Sequence, residues 1–232
     1  NSYALTYGAG GLFFSTHNDS TSIGTAVANT SIWHHVAATF DGSSQKVYLD
    51  GVMVASAVNA SPIIYESGSI PLTIGADLTA GSPNHFFEGQ IDEPAFYNRA
   101  LSEAEIQSVF NAGGGGTCAC VPQVTGKVLW HRADGNTLDS SGNPNNGTFV
   151  GGSAFADGKV RQGYIFNGTG YVRVPDSNSL DVTTQFTMDA WINPSVSHNG
   201  VPQGGIISKI GGSGGNNGYQ FVLNGNNTTL EC

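Results

Sequence analysis

Acidic residues on one predicted strand are the first candidates for chemistry. Two carboxylates on the same face of a strand can act as acid and nucleophile in glycoside cleavage. Glu88 and Asp92 could share a face, but Asp92 and Glu93 are predicted to point to opposite faces, and Pro94 is predicted to break the strand. A serine-hydrolase nucleophile elbow is not predicted, because the Gly-x-Ser-x-Gly pattern occurs only as Gly-Gly-Ser-Gly-Gly at 211–215, within a glycine-rich stretch. We therefore predict that the chain is not an enzyme.

A Gly-rich loop between residues 134 and 147 favours metal binding. Its carboxylate and amide oxygens are the ligands that calcium prefers, although their spacing matches no EF-hand. The same side chains could instead bond to their own backbone and form turns, and the sequence leaves both interpretations open. The residues concerned are Asp134, Asn136, Asp139, Asn143, Asn145 and Asn146.

Cysteine and histidine residues give weaker indications of a disulfide or a metal site. Three cysteines, Cys118, Cys120 and Cys232, leave one thiol over, which indicates a disulfide to another chain or a missing partner segment. A zinc site is not expected, because no histidine lies near Cys118 in the sequence. His34 and His35 are adjacent on a predicted strand, so we expect one to be packed and the other exposed.

Composition restricts the possible partners. The chain has 232 residues, of which 11% are charged, and a net charge of −9 with only 8 Lys and Arg. Nucleic acids and anionic membranes need clustered cations, so neither is expected as a partner. No apolar run reaches the roughly 18 residues of a membrane span. The Gly-rich composition favours an extracellular β protein, and the absence of an initiator Met leads us to expect processing or excision from a longer chain.

Two local patterns predict the elements that position these residues. Trp33, Val36, Ala38 and Phe40 form a strand pattern, followed by a hairpin that turns at Asp50-Gly51. A helix is predicted after Ser102, because Ser102 and Glu105 form a capping box and Ile106, Val109 and Phe110 supply an apolar face. Most aromatic residues are predicted to face the core, including Trp33, Phe40, Trp130, Phe166 and Trp191.

Several of these motifs resemble a laminin-G-like jelly roll, the concanavalin-like lectin and glucanase architecture. Trp-His-His-Val-Ala at 33–37 and Tyr-Leu-Asp-Gly at 48–51 resemble the middle of such a domain, and residues 86–106 resemble its closing strand, turn and helix. Residues 127–192 resemble the opening half. The resemblance implies a C-terminal half-domain at 1–112, a Gly/Cys linker at 113–124 and the N-terminal half of the next domain at 125–232.

The order of the halves leaves the architecture open. Residues 217–221 parallel residues 1–5, which indicates a tandem repeat with a period of roughly 216 residues. Neither half should be stable alone, because each exposes an unpaired sheet edge. Three arrangements fit this order: the halves close on each other as a permuted all-β jelly-roll sandwich with one short helix, a neighbouring chain completes them, or they belong to a longer array.

The resemblance also implies sites. Jelly rolls of this type bind calcium where the opening loop meets the closing strand, which makes Asp139, Asn146 and Asp92 the expected ligands. Apart from the resemblance, sugar binding would use exposed aromatics with nearby polar groups. The residues in or beside predicted loops are Tyr65, His85, Phe86, Phe87 and Tyr97, at least half of the aromatics outside the core are expected to be packing, and no ligand-binding residue is assigned.

The expected function is a non-catalytic, secreted or cell-surface module that binds a glycan or a surface protein. The alternative is a structural subunit of a filament, assembled head to tail from complementary halves of its own copies and linked by Cys118, Cys120 and Cys232. An accessory domain of a larger hydrolase is a third class.

Overall fold

Two antiparallel sheets packed face to face form the protein. The computed structural model describes residues 11–16, 22–26, 31–61, 63–65, 69–79, 81–113, 124–195, 204–211 and 217–224. Over these ranges it shows an all-β jelly-roll sandwich with one α-helix. The predicted fold class is therefore confirmed.

Strands are numbered in chain order, and each sheet is given from edge to edge. Sheet A consists of β11 (Thr148–Val150), β14 (Tyr171–Val174), β6 (Leu72–Ile74), β16 (Gly204–Gly211), β17 (Asn217–Asn224), β1 (Gly11–Ser15) and β2 (Ser22–Ala26). Sheet B consists of β12 (Ser153–Asp157), β13 (Gln162–Asn167), β9 (Glu88–Tyr97), β15 (Phe186–Pro194), β3 (His34–Phe40), β4 (Ser44–Leu49) and β5 (Val52–Val58), with β10 (Lys127–Trp130) also paired to β9. A small hairpin joins β7 (Asp77–Thr79) to β8 (Ser82–Asn84).

The core lies between the two sheets. Alternate residues of β3, namely Val36, Ala38 and Phe40, are completely buried, as their spacing predicts. Aromatic rings join the sheets: Phe96 of sheet B stacks on Tyr219 of sheet A with their centroids 5.0 Å apart. Burial of these rings is the main stabilising contribution at the centre of the sandwich.

Local sequence signals explain the hairpin and the helix. Asp50 and Gly51 both have positive φ values, 50° and 78°, as a tight turn between β4 and β5 requires. Helix α1 (Glu103–Ala112) begins at Ser102, which forms the predicted capping box with Glu105. Ile106 packs the helix against the outer face of sheet B, the face that points away from the core. Both predictions are confirmed.

Both sheets contain strands from 11–113 and strands from 124–224, and the two sets are interleaved. In sheet B, β9 lies between β13 and β15. In sheet A, β6 lies between β14 and β16, and β1 pairs with β17. The structure forms these pairings within one chain, whereas the tandem repeat and the permuted order remain predictions. Most of the linker, with Cys118 and Cys120, lies outside the described residues, as does Cys232.

In the part of the chain that the structure describes, no helix is long and apolar enough to cross a membrane.

Candidate functional site

The predicted calcium residues occupy different surroundings. Asp139 Oδ1 accepts hydrogen bonds from the backbone N–H of Trp130 (3.0 Å) and of Ser141 (2.8 Å). Asn146 Oδ1 accepts from the backbone N–H of Asp139 (2.9 Å), so the fold brings these two residues together. Asp92 accepts from the backbone N–H of Val160 (2.7 Å), and the described contacts do not join it to Asp139 or Asn146.

Hydrogen bonding within the loop favours the turn interpretation of its Asx residues. Asn136 and Asp139, for example, accept from backbone N–H groups two residues further on. Among the described residues, no group of three or more His, Cys, Asp or Glu side chains could hold a metal ion. Because calcium also uses amide and carbonyl oxygens, the calcium site stays a prediction.

The carboxylates of β9 are placed by a β-bulge. Ile91 and Phe96 both face the core although they are five residues apart, so the strand holds one extra residue between them. Glu93 accordingly has a φ of 53°, and in the pairing with β15 the register shifts between Asp189 and Trp191. Strand β9 continues through Pro94, which corrects the predicted break.

The bulge also corrects the predicted side-chain directions. Asp92 pairs with Trp191 on the outer face, and Glu93 is turned to that face as well, where its Oε2 accepts from Trp130 Nε1 at 2.5 Å. A regular strand would have placed Asp92 and Glu93 on opposite faces. The extra residue depends on pairing with distant strands, which a local pattern does not encode.

Asp92 is enclosed by the loop before β13. Its two oxygens accept from the backbone N–H groups of Val160 (2.7 Å) and Glu93 (2.8 Å), and the residue is completely buried. Gly158 allows this approach, since a Cβ there would lie 2.6 Å from Asp92 Oδ2. Burial raises the pKa of Asp92 to about 7, against the opposing effect of the Val160 hydrogen bond.

A cleft beside the end of the helix brings together the polar groups of the outer face. Its floor contains Ala95 and Asp189, and its walls are formed by Gly113 after α1 and by Lys127 and Trp130 of β10. Tyr97, Glu93 and Trp191 also line it. We name it the α1 cleft. As formed by the described residues it is partly open to solvent, and its volume of ≈ 30 Å³ has room for about two water molecules.

The charged groups of the α1 cleft influence one another without forming a direct ion pair between Lys127 and a carboxylate. Burial raises the pKa of Glu93 to about 7, against the opposing effects of the Trp130 hydrogen bond and of Lys127. Burial also lowers the pKa of Lys127, whose Nζ lies 4.1 Å from the Trp130 ring centroid. None of the ion pairs in the described part of the chain joins Lys127 to Glu93 or Asp189.

A buried histidine supports the floor of the cleft. His35 Nε2 lies 3.2 Å from Asp189 Oδ2, while Asp189 Oδ1 and His35 Nδ1 are buried without a hydrogen-bond partner. The prediction that one histidine of the pair is exposed is wrong. His34 is also buried, because the Asp50 turn folds back and places its carboxylate 2.8 Å from His34 Nδ1.

The predicted sugar-binding aromatics do not form one surface. Phe87 and Tyr97 are buried, and the hydroxyl of half-buried Tyr65 donates to Val182 O. His85 lies next to half-buried Phe86 and contacts Asp77 Oδ2 through Nδ1 at 2.8 Å, a bond that raises the pKa of the histidine.

Sequence reasoning missed Lys127, Trp130, Asp189 and Trp191 as residues of one cleft. Trp130 and Trp191 were predicted to face the core, but Leu129 and Ile192, their neighbours, fill those positions. Neighbouring residues of a strand point to opposite faces. If Leu129 and Ile192 had been known to face the core, alternation would have placed Trp130 and Trp191 on the outer face.

Comparison with known proteins agrees with the fold. Residues 1–107 match the laminin-G-type family model described as the concanavalin A-like lectin/glucanases superfamily. No curated protein and no solved structure matches the chain. The superfamily includes both binding proteins and enzymes, as its description says, so the match supports at most a lectin-like module.

Proposed function

We propose that the chain is a non-catalytic, lectin-like module of an extracellular or cell-surface protein, and that it binds a glycan at the α1 cleft. The observation that carries the proposal is the presence of two carboxylates, Glu93 and Asp189, in a partly open, aromatic-lined cleft without an ion-pair partner from Lys127. Glu93 accepts a hydrogen bond from Trp130 and Asp189 contacts His35, but Asp189 Oδ1 is buried without a hydrogen-bond partner and is suited to accept one from a ligand. The match to a lectin-containing superfamily supports the same class of function.

The dimensions of the cleft support binding rather than hydrolysis. Glycosidases place two carboxyl groups on either side of the scissile bond, which requires room for a sugar ring between them. The α1 cleft has room for about two water molecules, so only a substituent of a sugar can enter it. Asp92, the other carboxylate with a raised pKa, is enclosed beneath Gly158 and Val160.

A glycan array followed by calorimetry on the ligands found tests the proposal. Glu93→Gln and Asp189→Asn should each weaken binding about tenfold, the effect expected for loss of one charged hydrogen-bond acceptor. Glu103→Gln is the matched control, because Glu103 is an exposed carboxylate on α1 that does not line the cleft. Absence of any glycan ligand, or equal affinity for all variants, would overturn the proposal.

An exposed apolar edge strand favours the second candidate, a filament subunit. β5 is the last strand of sheet B and contains no charged residue, and Val52 and Val58 are 61% and 84% exposed. Such an edge can pair with another chain. In this alternative, copies of the chain join head to tail and are linked through Cys118, Cys120 and Cys232.

Mass measured with and without reductant tests the filament. A ladder of covalent species that collapses to monomer on reduction is expected, and Val58→Lys should lower the non-covalent association that remains. A monomer under both conditions would exclude the covalent filament.

Calcium binding by Asp139, Asn146 and Asp92 is a separate proposal, supported by the adjacency of the first two residues. Titration calorimetry with millimolar calcium should detect it in the wild-type protein and not in Asp139→Ala. No heat of binding to the wild-type protein would remove calcium as a cofactor.

A further inference from the structure

We infer that the α1 cleft binds a primary ammonium group, so that the glycan ligand is one that carries a free amino group. This inference rests on the proposed function for the saccharide, but the preference for an ammonium group follows from the cleft alone.

Asp189 is the residue that we expect to accept a hydrogen bond from the ammonium group. Its side chain is 5% exposed, its Oδ2 lies near His35, and its Oδ1 is buried without a hydrogen-bond partner. A buried carboxylate oxygen without a donor is unfavourable in the free protein. Asp189 lines the cleft, so its side chain is part of the surface that a ligand N–H group in the cleft would meet.

The surroundings of Asp189 favour a positive charge. Glu93 contributes a second carboxylate, and helix α1 ends at the cleft with no basic residue in its last turn. The carboxyl end of a helix carries a partial negative charge, which attracts cations as well. Lys127 is the one cation among the described residues that line the cleft, while Arg132 and Lys159 lie over the Trp130 and Trp191 rings, 5.7 and 4.5 Å from the ring centroids.

The size of the cleft selects the kind of cation. Space for about two water molecules accepts a primary ammonium group, which is close to a water molecule in size. A trimethylated ammonium group exceeds this space, and so does an acetamido group, which adds a carbonyl and a methyl group to the nitrogen, so either would have to stay at the open side of the cleft. Among the described residues, no three His, Cys, Asp or Glu side chains are grouped so that they could hold a metal ion.

Substitution of Lys127 should increase the affinity for ammonium, whereas substitution of Asp189 should decrease it. The ammonium group of Lys127 lies over the Trp130 ring and repels an incoming cation. Lys127→Gln should therefore strengthen ammonium binding about three- to tenfold, whereas Asp189→Asn should weaken it at least about tenfold. A gain of affinity cannot result from misfolding, which keeps the test valid if Asp189→Asn is unstable.

Two pairs of probes test the inference on the full chain. Methylammonium chloride is compared with tetramethylammonium chloride, and a deacetylated chito-oligosaccharide is compared with its N-acetylated form. Binding is followed by calorimetry and by the indole N–H resonance of Trp130, which reports on its hydrogen bond to Glu93. The smaller, amine-bearing member of each pair should bind, with affinity that decreases as salt increases.

The outcomes separate this inference from the proposed function. Equal binding of both oligosaccharides would overturn the ammonium preference and leave the lectin-like function standing. Binding of methylammonium without binding of any glycan would support the ammonium site and contradict the proposed function. If Lys127→Gln does not strengthen methylammonium binding, or if tetramethylammonium binds as well, the inference is wrong.

Discussion

Burial controls the chemistry of individual acidic residues in this protein. Asp92 and Glu93 are adjacent in sequence, and both have a pKa raised to about 7, mainly by burial. In the unfolded chain both groups would have a pKa near 4. The folded state therefore binds more protons than the unfolded state between about pH 4 and pH 7, and folding is linked to pH in that range.

The free energy of unfolding should decrease as pH rises from about 4 to about 7 and then level off. A raised acid pKa favours the folded state at low pH, and the loss is of the order of a few kcal/mol. Glu93→Gln should flatten the decrease and be more stable than wild type at pH 8, because glutamine can still accept from Trp130 Nε1. Urea denaturation at several pH values measures this.

Two variants control this measurement. Glu103→Gln removes an exposed carboxylate and should leave the pH profile unchanged. Asp92→Asn cannot serve as a neutral replacement, because both oxygens of Asp92 accept backbone hydrogen bonds and an amide can keep only one. Parallel profiles for wild type and Glu93→Gln would contradict the assigned role of Glu93.

Sequence reasoning at the scale of residues identified the acidic groups but not their directions. Glu88, Asp92 and Glu93 were recognisable by type, and Asp139 and Asn146 do lie together. The sequence did not predict that Trp130 and Trp191 lie on the outer face, nor that His35 contacts Asp189. Each of these features depends on residues far away in the chain.

At the scale of elements, local sequence signals determine some features of the fold, and distant contacts determine others. The Asp50-Gly51 turn and the Ser102 cap were predictable because their causes lie within a few residues. The bulge in β9 was not, because it adjusts this strand to β10 and β15 at once. Loops between elements are likewise fixed by single distant contacts.

Lys209 of β16 fixes two such loops. It is buried, and its Nζ contacts Asp176 (2.5 Å), Asp181 (3.0 Å) and the carbonyl of Ile70 (2.7 Å). Lys209→Met should lower the free energy of unfolding by about 3 kcal/mol, because it leaves the two carboxylates without their cation. The side chains of Asp176 and Asp181 are partly exposed, which limits the loss.

Lys46→Met is the matched control, since Lys46 lies on β4 and is not among the described ion pairs. It should change stability by less than about 0.5 kcal/mol. Chemical denaturation of both variants provides the comparison. If the free energy of unfolding of Lys209→Met lies within about 1 kcal/mol of the wild-type value, the buried lysine does not hold the loops.

At the scale of the whole molecule, the two segments depend on each other. The resemblance to a laminin-G-like domain predicted two incomplete halves at 1–112 and 125–232, and the structure interleaves their strands in both sheets. Sequence alone could not choose between closure within one chain and exchange with a neighbour, because both arrangements use the same strand pairs.

Separated segments 1–112 and 125–232 should each fail to unfold cooperatively, because β9, β6 and β1 lose their partners. Mixed under refolding conditions, they should recover the near-ultraviolet circular dichroism of the intact chain as a 1:1 complex. Circular dichroism and sedimentation measure both results. A cooperative transition from either segment alone would contradict the interleaved sandwich.

The location of ligand binding tests the central proposal, that the α1 cleft is the binding site of a lectin-like module. The chain has 3 Trp, and Trp130 and Trp191 line the cleft whereas Trp33 does not. Titration with the strongest glycan ligand from the array should shift the indole N–H resonances of Trp130 and Trp191 and leave that of Trp33 unchanged. Saturable binding that leaves both cleft resonances unchanged would contradict the proposal.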